Sequence, residues 1–323
     1  MKGLIFSEGN GYGHVARDFS ISESLGIPIM TFGMGAEYLK MRKKDFIEIP
    51  SPYKIETKGK TKIVANLRQI MRFFNPSITS DIIKRFREVD FVIVDGSPLG
   101  LILARIAGKK TIMITNDTSS LVGINGIQRP IANELNQLIL SYPEKILVPD
   151  FPPPFTVAKY NLMENERIKM IGPLIESAKQ AKHNKDCLVI TTNETINKKL
   201  KNYLGDYAVY SSEVGNVKPY YGSCKVVICH GGHTTITEAL SYGKPVIAIY
   251  DKSYSERSNH VRFIEEMGIG YGIEEKSFEA EYLKFLPEIM DSFDAKMLAI
   301  YKKMRNKLNP IKEIKDSVGE LKL

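Results

Sequence analysis

The 323-residue sequence contains no tryptophan, only three cysteines and no apolar run long enough to cross a lipid bilayer. Cys187, Cys224 and Cys229 lack the spacing of a metal site, and their odd number argues against a disulfide framework. The apolar run within residues 1–7 is too short for a signal peptide and suits a first strand. These absences predict a cytoplasmic protein whose thiols are ordinary buried side chains.

Positive charge is concentrated in one region of the chain. The net charge is +8, and residues 38–90 hold thirteen Lys or Arg against six Asp or Glu. A basic surface attracts an anionic membrane, an anionic substrate or nucleic acid, and a plain solvated face is the alternative. No other feature of the sequence favours nucleic acid, so we predict no nucleic-acid partner.

An apolar stripe lies inside this basic region. Leu67, Ile70, Met71 and Phe74 recur at helical spacing. The stripe is either part of a domain core or the apolar face of a helix that lies on an anionic membrane. In the second case the protein would be peripheral to the membrane, and a lipid-linked substrate would suit it.

Strand-like and helix-like segments alternate along both halves of the chain. Buried runs such as Leu4–Ser7, Phe91–Asp95 and Cys187–Thr191 predict parallel strands, each followed by a helix-like segment. Three prolines at positions 152–154 interrupt the alternation. The sequence therefore predicts an α/β protein with two Rossmann-like domains, whose parallel sheets face each other across a cleft.

The change in composition around the prolines sets the predicted boundaries. The first domain is expected at residues 1–155, the linker at 156–185 and the second domain at 186–305. Residues 306–323 form a tail that we expect to pack back on the first domain. Residues 146–149 are predicted to be the last strand of the first domain.

A glycine pair in the second half predicts a phosphate site. Gly231–Gly232 follows the short buried strand Val226–Cys229, and a helix is predicted to begin at Thr234 or Thr235. Free backbone N–H groups and the positive end of a helix dipole then point at one spot, which favours a phosphate. Glu238 follows one turn later, where its carboxylate can accept hydrogen bonds from adjacent sugar hydroxyls. The alternative for the glycine pair is a tight turn that binds no ligand. The alternative for Glu238 is a first-turn acid that is favoured only by the helix dipole.

A second glycine loop follows the first strand. Gly11, Gly13 and Ala16 fit the variant dinucleotide fingerprint G-x-G-x-x-A. The second predicted strand ends at Phe32 without the acid that would bind an NAD ribose, so we predict no NAD site. Together with Tyr12, the glycines form a loop that lets a substrate approach the backbone.

Two titratable residues follow strands: His14 lies just after this loop, and Asp95 lies at the end of a later strand. His14 begins the helix after the loop, where an imidazole can act as a general base near neutral pH. Capping the helix is the alternative role for His14. Asp95 ends a buried strand just before the helix predicted at Pro98, so one role for Asp95 is to cap that helix.

The order of these motifs matches a known family along nearly the whole chain. The motifs are the loop with His14, then Asp95, Gly172-Pro173, His230–Leu240, Glu256 and Asn259. In this order the chain resembles nucleotide-sugar glycosyltransferases of the GT-B fold. The UDP-glycosyltransferases and the GlcNAc transferases of lipid-linked peptidoglycan precursors are the most similar groups.

The resemblance implies an inverting transfer of a sugar from a UDP-sugar to an acceptor hydroxyl. It places the acceptor in the first domain, where His14 would be the base with Asp95 in support, and the nucleotide in the second. No cofactor or metal ion is expected, and the sequence has no Asp-x-Asp cluster to hold one. The residues implied for donor binding are His230, Gly231, Gly232, His233, Thr234 and Thr235 at the diphosphate, Glu238 at the ribose, and Glu256 and Asn259 near the sugar. The imidazole of His233 itself is expected to face solvent.

Two positions depart from the family pattern. Glu256 stands where Gln is usual, and the polar segment Thr191–Thr195 replaces a glycine-rich turn. Helix capping is an alternative role for Glu256 and Asn259. Two other functions remain open: a sugar-nucleotide 2-epimerase on the same fold, and a non-catalytic nucleotide-sugar-binding subunit of a transferase complex.

Overall fold

The chain forms two compact α/β units, each built on a parallel sheet, as the sequence predicts. The computed structural model describes residues 1–50, 54–55, 63–64, 76–119, 129–176, 178–181, 185–214, 216–279 and 286–321.

The strands and helices of the described residues alternate through both units. The strands are β1 Gly3–Ser7, β2 Ile29–Thr31, β3 Ile47–Glu48, β4 Lys54–Ile55, β5 Ile63–Val64, β6 Phe91–Asp95, β7 Lys110–Ile114, β8 Lys145–Val148, β9 Ile168–Met170, β10 Cys187–Ile190, β11 Ala208–Tyr210, β12 Val226–Cys229, β13 Val246–Tyr250 and β14 Gly270–Glu274. The α-helices are α1 Tyr12–Leu25, α2 Gly33–Met41, α3 Pro76–Arg87, α4 Pro98–Ile106, α5 Arg129–Leu140, α6 Glu194–Leu204, α7 Ser211–Val214, α8 His233–Ser241, α9 Ser255–Glu266, α10 Leu286–Asp291, α11 Ala295–Arg305 and α12 Pro310–Gly319.

The first unit comprises Met1–Pro149, Asn161–Leu174 and Asn309–Leu323. Its seven parallel strands lie in the order β3-β2-β1-β6-β7-β8-β9. Successive residues of β1 pack alternately into two apolar clusters, so both faces of the sheet are buried. Strands buried on both faces need apolar residues throughout, which explains the continuous apolar runs of β1 and β6. The carboxy-terminal helix α12 packs into one of these clusters.

Strand β9 corrects two expectations about residues 146–185. Residues 146–149 are not the last strand of this sheet, because Ile168–Met170 pairs with β8 as a further parallel strand. The predicted linker at 156–185 is also wrong as a separate segment. Residues 161–174 belong to the first unit, whereas residues 150–160 and those from Ile175 onward belong to the second. A three-residue edge strand leaves too weak an apolar pattern to be recognised in the sequence.

The second unit comprises Asp150–Tyr160 and Ile175–Leu308. Its five parallel strands lie in the order β11-β10-β12-β13-β14. The sequence did not predict β14, because glycines replace its apolar residues. A Cβ on Gly272 would lie 2.3 Å from Cγ1 of Val261, so α9 packs too closely on this edge strand to admit a side chain. Helix α9 begins at Ser255.

The basic region 38–90 is described only in part. The apolar stripe of Leu67, Ile70, Met71 and Phe74 lies outside the described residues. In the part of the chain that the structure describes, no helix is both long enough and apolar enough to span a membrane.

Candidate active site

In the first unit, His14 and Asp95 meet at the carboxyl ends of two neighbouring strands. β1 and β6 pair with Ser7 opposite Asp95, so the loop after β1 lies beside the end of β6. Helix α1 begins at Tyr12, which places His14 in its first turn. His14 Nδ1 lies 2.7 Å from Asp95 Oδ1. Gly96 makes room for the ring, because a Cβ there would lie 2.4 Å from Cε1 of His14.

The contacts of this pair argue against the capping alternatives. The cap position of α1 is Gly11, which has no side chain, and His14 bonds to Asp95 instead. Helix α4 is capped by Ser97, whose hydroxyl accepts a hydrogen bond from the amide of Gly100 at 3.3 Å.

Arg17 is a member of this cluster that sequence reasoning missed. Arg17 lies one turn after His14 on α1 and is buried. Its guanidinium donates to both carboxylate oxygens of Asp95, and Nε lies 2.5 Å from Oδ2. A further nitrogen lies 3.3 Å from Oδ1 of Asn116. Burial alone would raise the pKa of Asp95, but Arg17 and His14 lower that pKa to about 2. The spacing of three residues from His14 was the only signal in the sequence.

The ionised Asp95 orients the imidazole of His14. His14 Nδ1 lies 2.7 Å from Oδ1 of Asp95 and 2.9 Å from a guanidinium nitrogen of Arg17. A carboxylate only accepts hydrogen bonds, so the bond to Asp95 requires the tautomer of neutral His14 that carries its hydrogen on Nδ1. Nε2 is then left with a lone pair, and the His14 side chain is 28% exposed. This is the tautomer that can accept a proton from a substrate hydroxyl.

Two more carboxyl groups are buried beside Asp95. Burial, helped by the charge of Asp95, raises the pKa of Glu8 to about 8, although hydrogen bonds oppose the shift. Burial and Asp95 likewise raise the pKa of Asp18 well above its ordinary value. Among these three carboxyl groups, Asp95 is the one whose charged form the fold favours, and the guanidinium of Arg17 balances its charge.

In the second unit, the turn between β12 and α8 has the geometry of an anion seat. Gly231 has a φ of +75°, in the left-handed region that favours glycine, and α8 begins at His233, one residue before the predicted start. The first amides of the helix, at His233, Thr234 and Thr235, have no partner within the helix. A Cβ on Gly232 would meet no described atom within 4 Å, so the space beside this helix end is open.

His230 is neutral in this turn. Its Nδ1 donates to the carbonyl of Ile249 at 3.1 Å, and Nε2 accepts from the hydroxyl of Thr191 at 2.5 Å. Burial lowers the pKa of His230 to about 4, and the charge of Arg257 adds to this effect. At neutral pH the ring therefore brings no positive charge to an anion, and both of its nitrogens are engaged within the protein.

His233 does not face solvent, so that expectation is wrong. Its side chain is 4% exposed, and Nε2 lies 2.9 Å from Oδ2 of Asp150. Asp150 also accepts hydrogen bonds from the amides of Phe151 and Ala158. As the first residue of α8, His233 turns its side chain inward to this loop.

Glu238 is buried in the second turn of α8 and forms an ion pair with Lys218, which the sequence did not reveal. The alternative of a first-turn acid is wrong, because Glu238 is the sixth residue of the helix. Lys218 contacts one carboxylate oxygen. A ribose hydroxyl would therefore have to share the carboxylate with this ammonium group.

Glu256 and Asn259 both lie on α9 and are half-buried. Asn259 is the fifth residue of the helix and donates to the carbonyl of Tyr160 at 3.3 Å, so it does not cap α9. Glu256 lies in the first turn, where the helix dipole favours an acid.

The polar turn after β10 is held by its own side chains. The amide of Asn193 donates to the hydroxyl of Thr191 at 3.1 Å, and the Asn193 side chain caps α6. Among the described residues no group of three or more His, Cys, Asp or Glu side chains is arranged to hold a metal ion.

Known glycosyltransferases are similar to this chain in sequence. Residues 169–318 match the glycosyltransferase family 28 C-terminal domain. An uncharacterized glycosyltransferase of Methanosarcina mazei is 26% identical over 84% of this chain and 85% of its own length.

Two solved structures share the fold along almost the entire chain. MurG of Acinetobacter baumannii is 14% identical, with a TM-score of 0.63 over 99% of this chain and 100% of its own. The glycosyltransferase VinC, solved in complex with dTDP, is 14% identical, with a TM-score of 0.63 over 98% of each chain. The two parallel-sheet units, the carboxy-terminal domain match and the fold together identify the protein as a glycosyltransferase of the GT-B fold.

Proposed function

We propose that the protein is an inverting glycosyltransferase that moves a sugar from a UDP-sugar to an acceptor hydroxyl. The observation that carries the proposal is the His14–Asp95 pair at 2.7 Å, with Nε2 of His14 left to accept a proton. The open helix end at Gly232 supports a nucleoside diphosphate as the leaving group. The dTDP complex of VinC is in keeping with a pyrimidine nucleoside diphosphate as the ligand class.

The proposed reaction is a single displacement. The acceptor oxygen forms a bond to the anomeric carbon while the bond from that carbon to the diphosphate oxygen breaks, so the configuration inverts. The acceptor proton passes to Nε2 of His14, and Asp95 stabilises the imidazolium that results. The electron pair of the broken bond leaves on the diphosphate, whose growing charge the first amides of α8 would stabilise. Glu238 would bind the ribose.

The proposal extends to the acceptor and the location. Thirteen basic residues in region 38–90 favour an anionic, lipid-linked acceptor and peripheral binding to an anionic membrane from the cytoplasm. No cofactor or bound metal ion is proposed, since the first amides of α8 would stabilise the charge of the leaving group.

A thermal-shift panel of nucleotides and nucleotide sugars tests the donor site. UDP or a UDP-sugar is expected to stabilise the protein, by about 2.7 kcal/mol at a hundredfold excess over Kd. Glu238→Gln keeps the size of the side chain and should weaken this stabilisation, while Lys218→Met controls for loss of the ion pair alone. Absence of a shift with every nucleotide would refute the proposal.

Turnover assays separate the remaining alternatives. A transferase releases UDP only when an acceptor is added, and His14→Ala should abolish this release without loss of UDP binding. Isomerisation of the donor in the absence of an acceptor would show a 2-epimerase instead. Nucleotide binding without turnover, together with an unaffected His14→Ala variant in cells, would show a non-catalytic subunit.

A further inference from the structure

We propose that Arg257, rather than His230, is the side chain that binds the charged diphosphate of the donor. This inference rests on the proposed function and assigns a cationic side chain to its donor site. A diphosphate carries more negative charge than the partial positive charge of one helix end, so a cationic side chain beside the first amides of α8 would add to the stabilisation that they provide.

One face of α9 packs against the turn that begins the anion seat. His260 Nδ1 donates to the carbonyl of Gly231 at 3.1 Å. A Cβ built on Gly231 would lie 3.4 Å from Cγ2 of Val261 and 3.7 Å from Cβ of Arg257. Residues 257, 260 and 261 have the spacing of one helix face, so Arg257 is part of the surface that contacts Gly231.

The guanidinium of Arg257 is half-buried and held without an acid. It lies 5.1 Å from the ring centroid of Tyr254, and no carboxylate of the described residues forms an ion pair with it. Its charge reaches the turn: burial raises the pKa of Cys229 to about 11, and Arg257 opposes this rise. A guanidinium stacked on an aromatic ring keeps the N–H donors at its edge available for the oxygens of a ligand.

Two other basic groups of the second unit, His230 and Lys218, already have partners. His230 is neutral, with one nitrogen bonded to Ile249 and the other to Thr191. Lys218 is occupied by Glu238. Arg257 lies beside Gly231 without an acid among the described residues, and its guanidinium can form paired, charge-assisted hydrogen bonds to phosphate oxygens.

Arg257→Met tests the inference by titration with UDP, dTDP and uridine. The variant keeps an apolar stem but loses the charge, so affinity for UDP and dTDP should fall about 10- to 100-fold, whereas uridine, which has no phosphate, should bind unchanged. Arg262→Met is the matched control, because Arg262 is an exposed residue of the same helix that pairs with Glu266. The control should bind UDP within about twofold of the unaltered protein.

The outcomes separate this inference from the proposed function. If the unaltered protein binds neither UDP nor dTDP, the proposed function fails. If it binds them and Arg257→Met binds equally well, the proposed function stands and the role of Arg257 is refuted. An equal loss for uridine would show a structural role and also overturn the inference. Should Arg257→Met not fold, Arg257→Lys retains the charge without the fork, and an unchanged UDP affinity in that variant would refute paired binding.

Discussion

Replacing Asp95 by Asn removes the anion that holds together the buried cluster of His14 and Arg17. The pKa of Asp95 is lowered from 3.8 to about 2, so its charged form is favoured by about 2 kcal/mol. In Asp95→Asn this contribution is lost and the guanidinium of Arg17 stays buried without an anion. Removal of one partner from a buried ion pair costs about 3–5 kcal/mol, which is the loss of stability we expect at pH 7.

Scanning calorimetry measures this loss, and a second variant shows its cause. A loss of this size should lower Tm of the affected transition by about 10 °C. Asp95→Asn/Arg17→Met removes both charges and should recover about 1–3 kcal/mol relative to the single variant. A single variant within about 1 kcal/mol of the unaltered protein would contradict the buried-charge argument.

The pH dependence supplies an independent check. The folded pKa of Asp95 is lowered, so its contribution is present above the ordinary value of 3.8 and is lost as the pH falls through about 2. The stability gap between the unaltered protein and Asp95→Asn should therefore shrink between pH 4 and pH 2. A gap that does not change with pH would show that the carboxylate is not stabilised in the fold.

Three further outcomes are expected. Burial raises the pKa of Glu8 to about 8, so the folded state keeps a proton that the unfolded chain loses from about pH 4.5. Relative to the unaltered protein, Glu8→Gln should therefore gain about 1.4 kcal/mol in free energy of unfolding for each pH unit between these two values. Calorimetric stability curves of the two proteins that run parallel against pH would contradict this. His14→Ala should lower kcat about 10²- to 10⁴-fold with UDP affinity within about twofold, and an unchanged kcat would remove His14 as the base. Asn193→Ala should lose about 1 kcal/mol in thermal melting, because its side chain caps α6, and Asn193→Ser should restore most of it.

Short-range signals explain most of what the sequence predicted about the fold. The strands Phe91–Asp95 and Val226–Cys229 occur as predicted, because each is a continuous apolar segment with a clear end. The weak edges of the sheets were missed: β9 has three residues and β14 has glycines where α9 packs closely. These strands are defined by their neighbours rather than by their own residues.

The sequence likewise revealed only part of the candidate site. The glycine turns, His14, Asp95 and Glu238 stand out because each follows a strand or begins a helix. Their partners do not stand out: Arg17 bonds to Asp95 across 78 residues of sequence, and Lys218 approaches Glu238 from a different loop.

The sequence by itself determined the alternation of strands and helices, the glycine turn before α8 and the residue types available for acid–base chemistry, because these depend on neighbouring residues. Only the tertiary structure decided the protonation states. Burial and contacts between distant segments keep Asp95 charged and His230 neutral, raise the pKa of Glu8, and leave Arg257 without an acid among the described residues. Charge in a protein interior depends on which groups the fold brings together, and that information is not present in the order of the residues around any one of them.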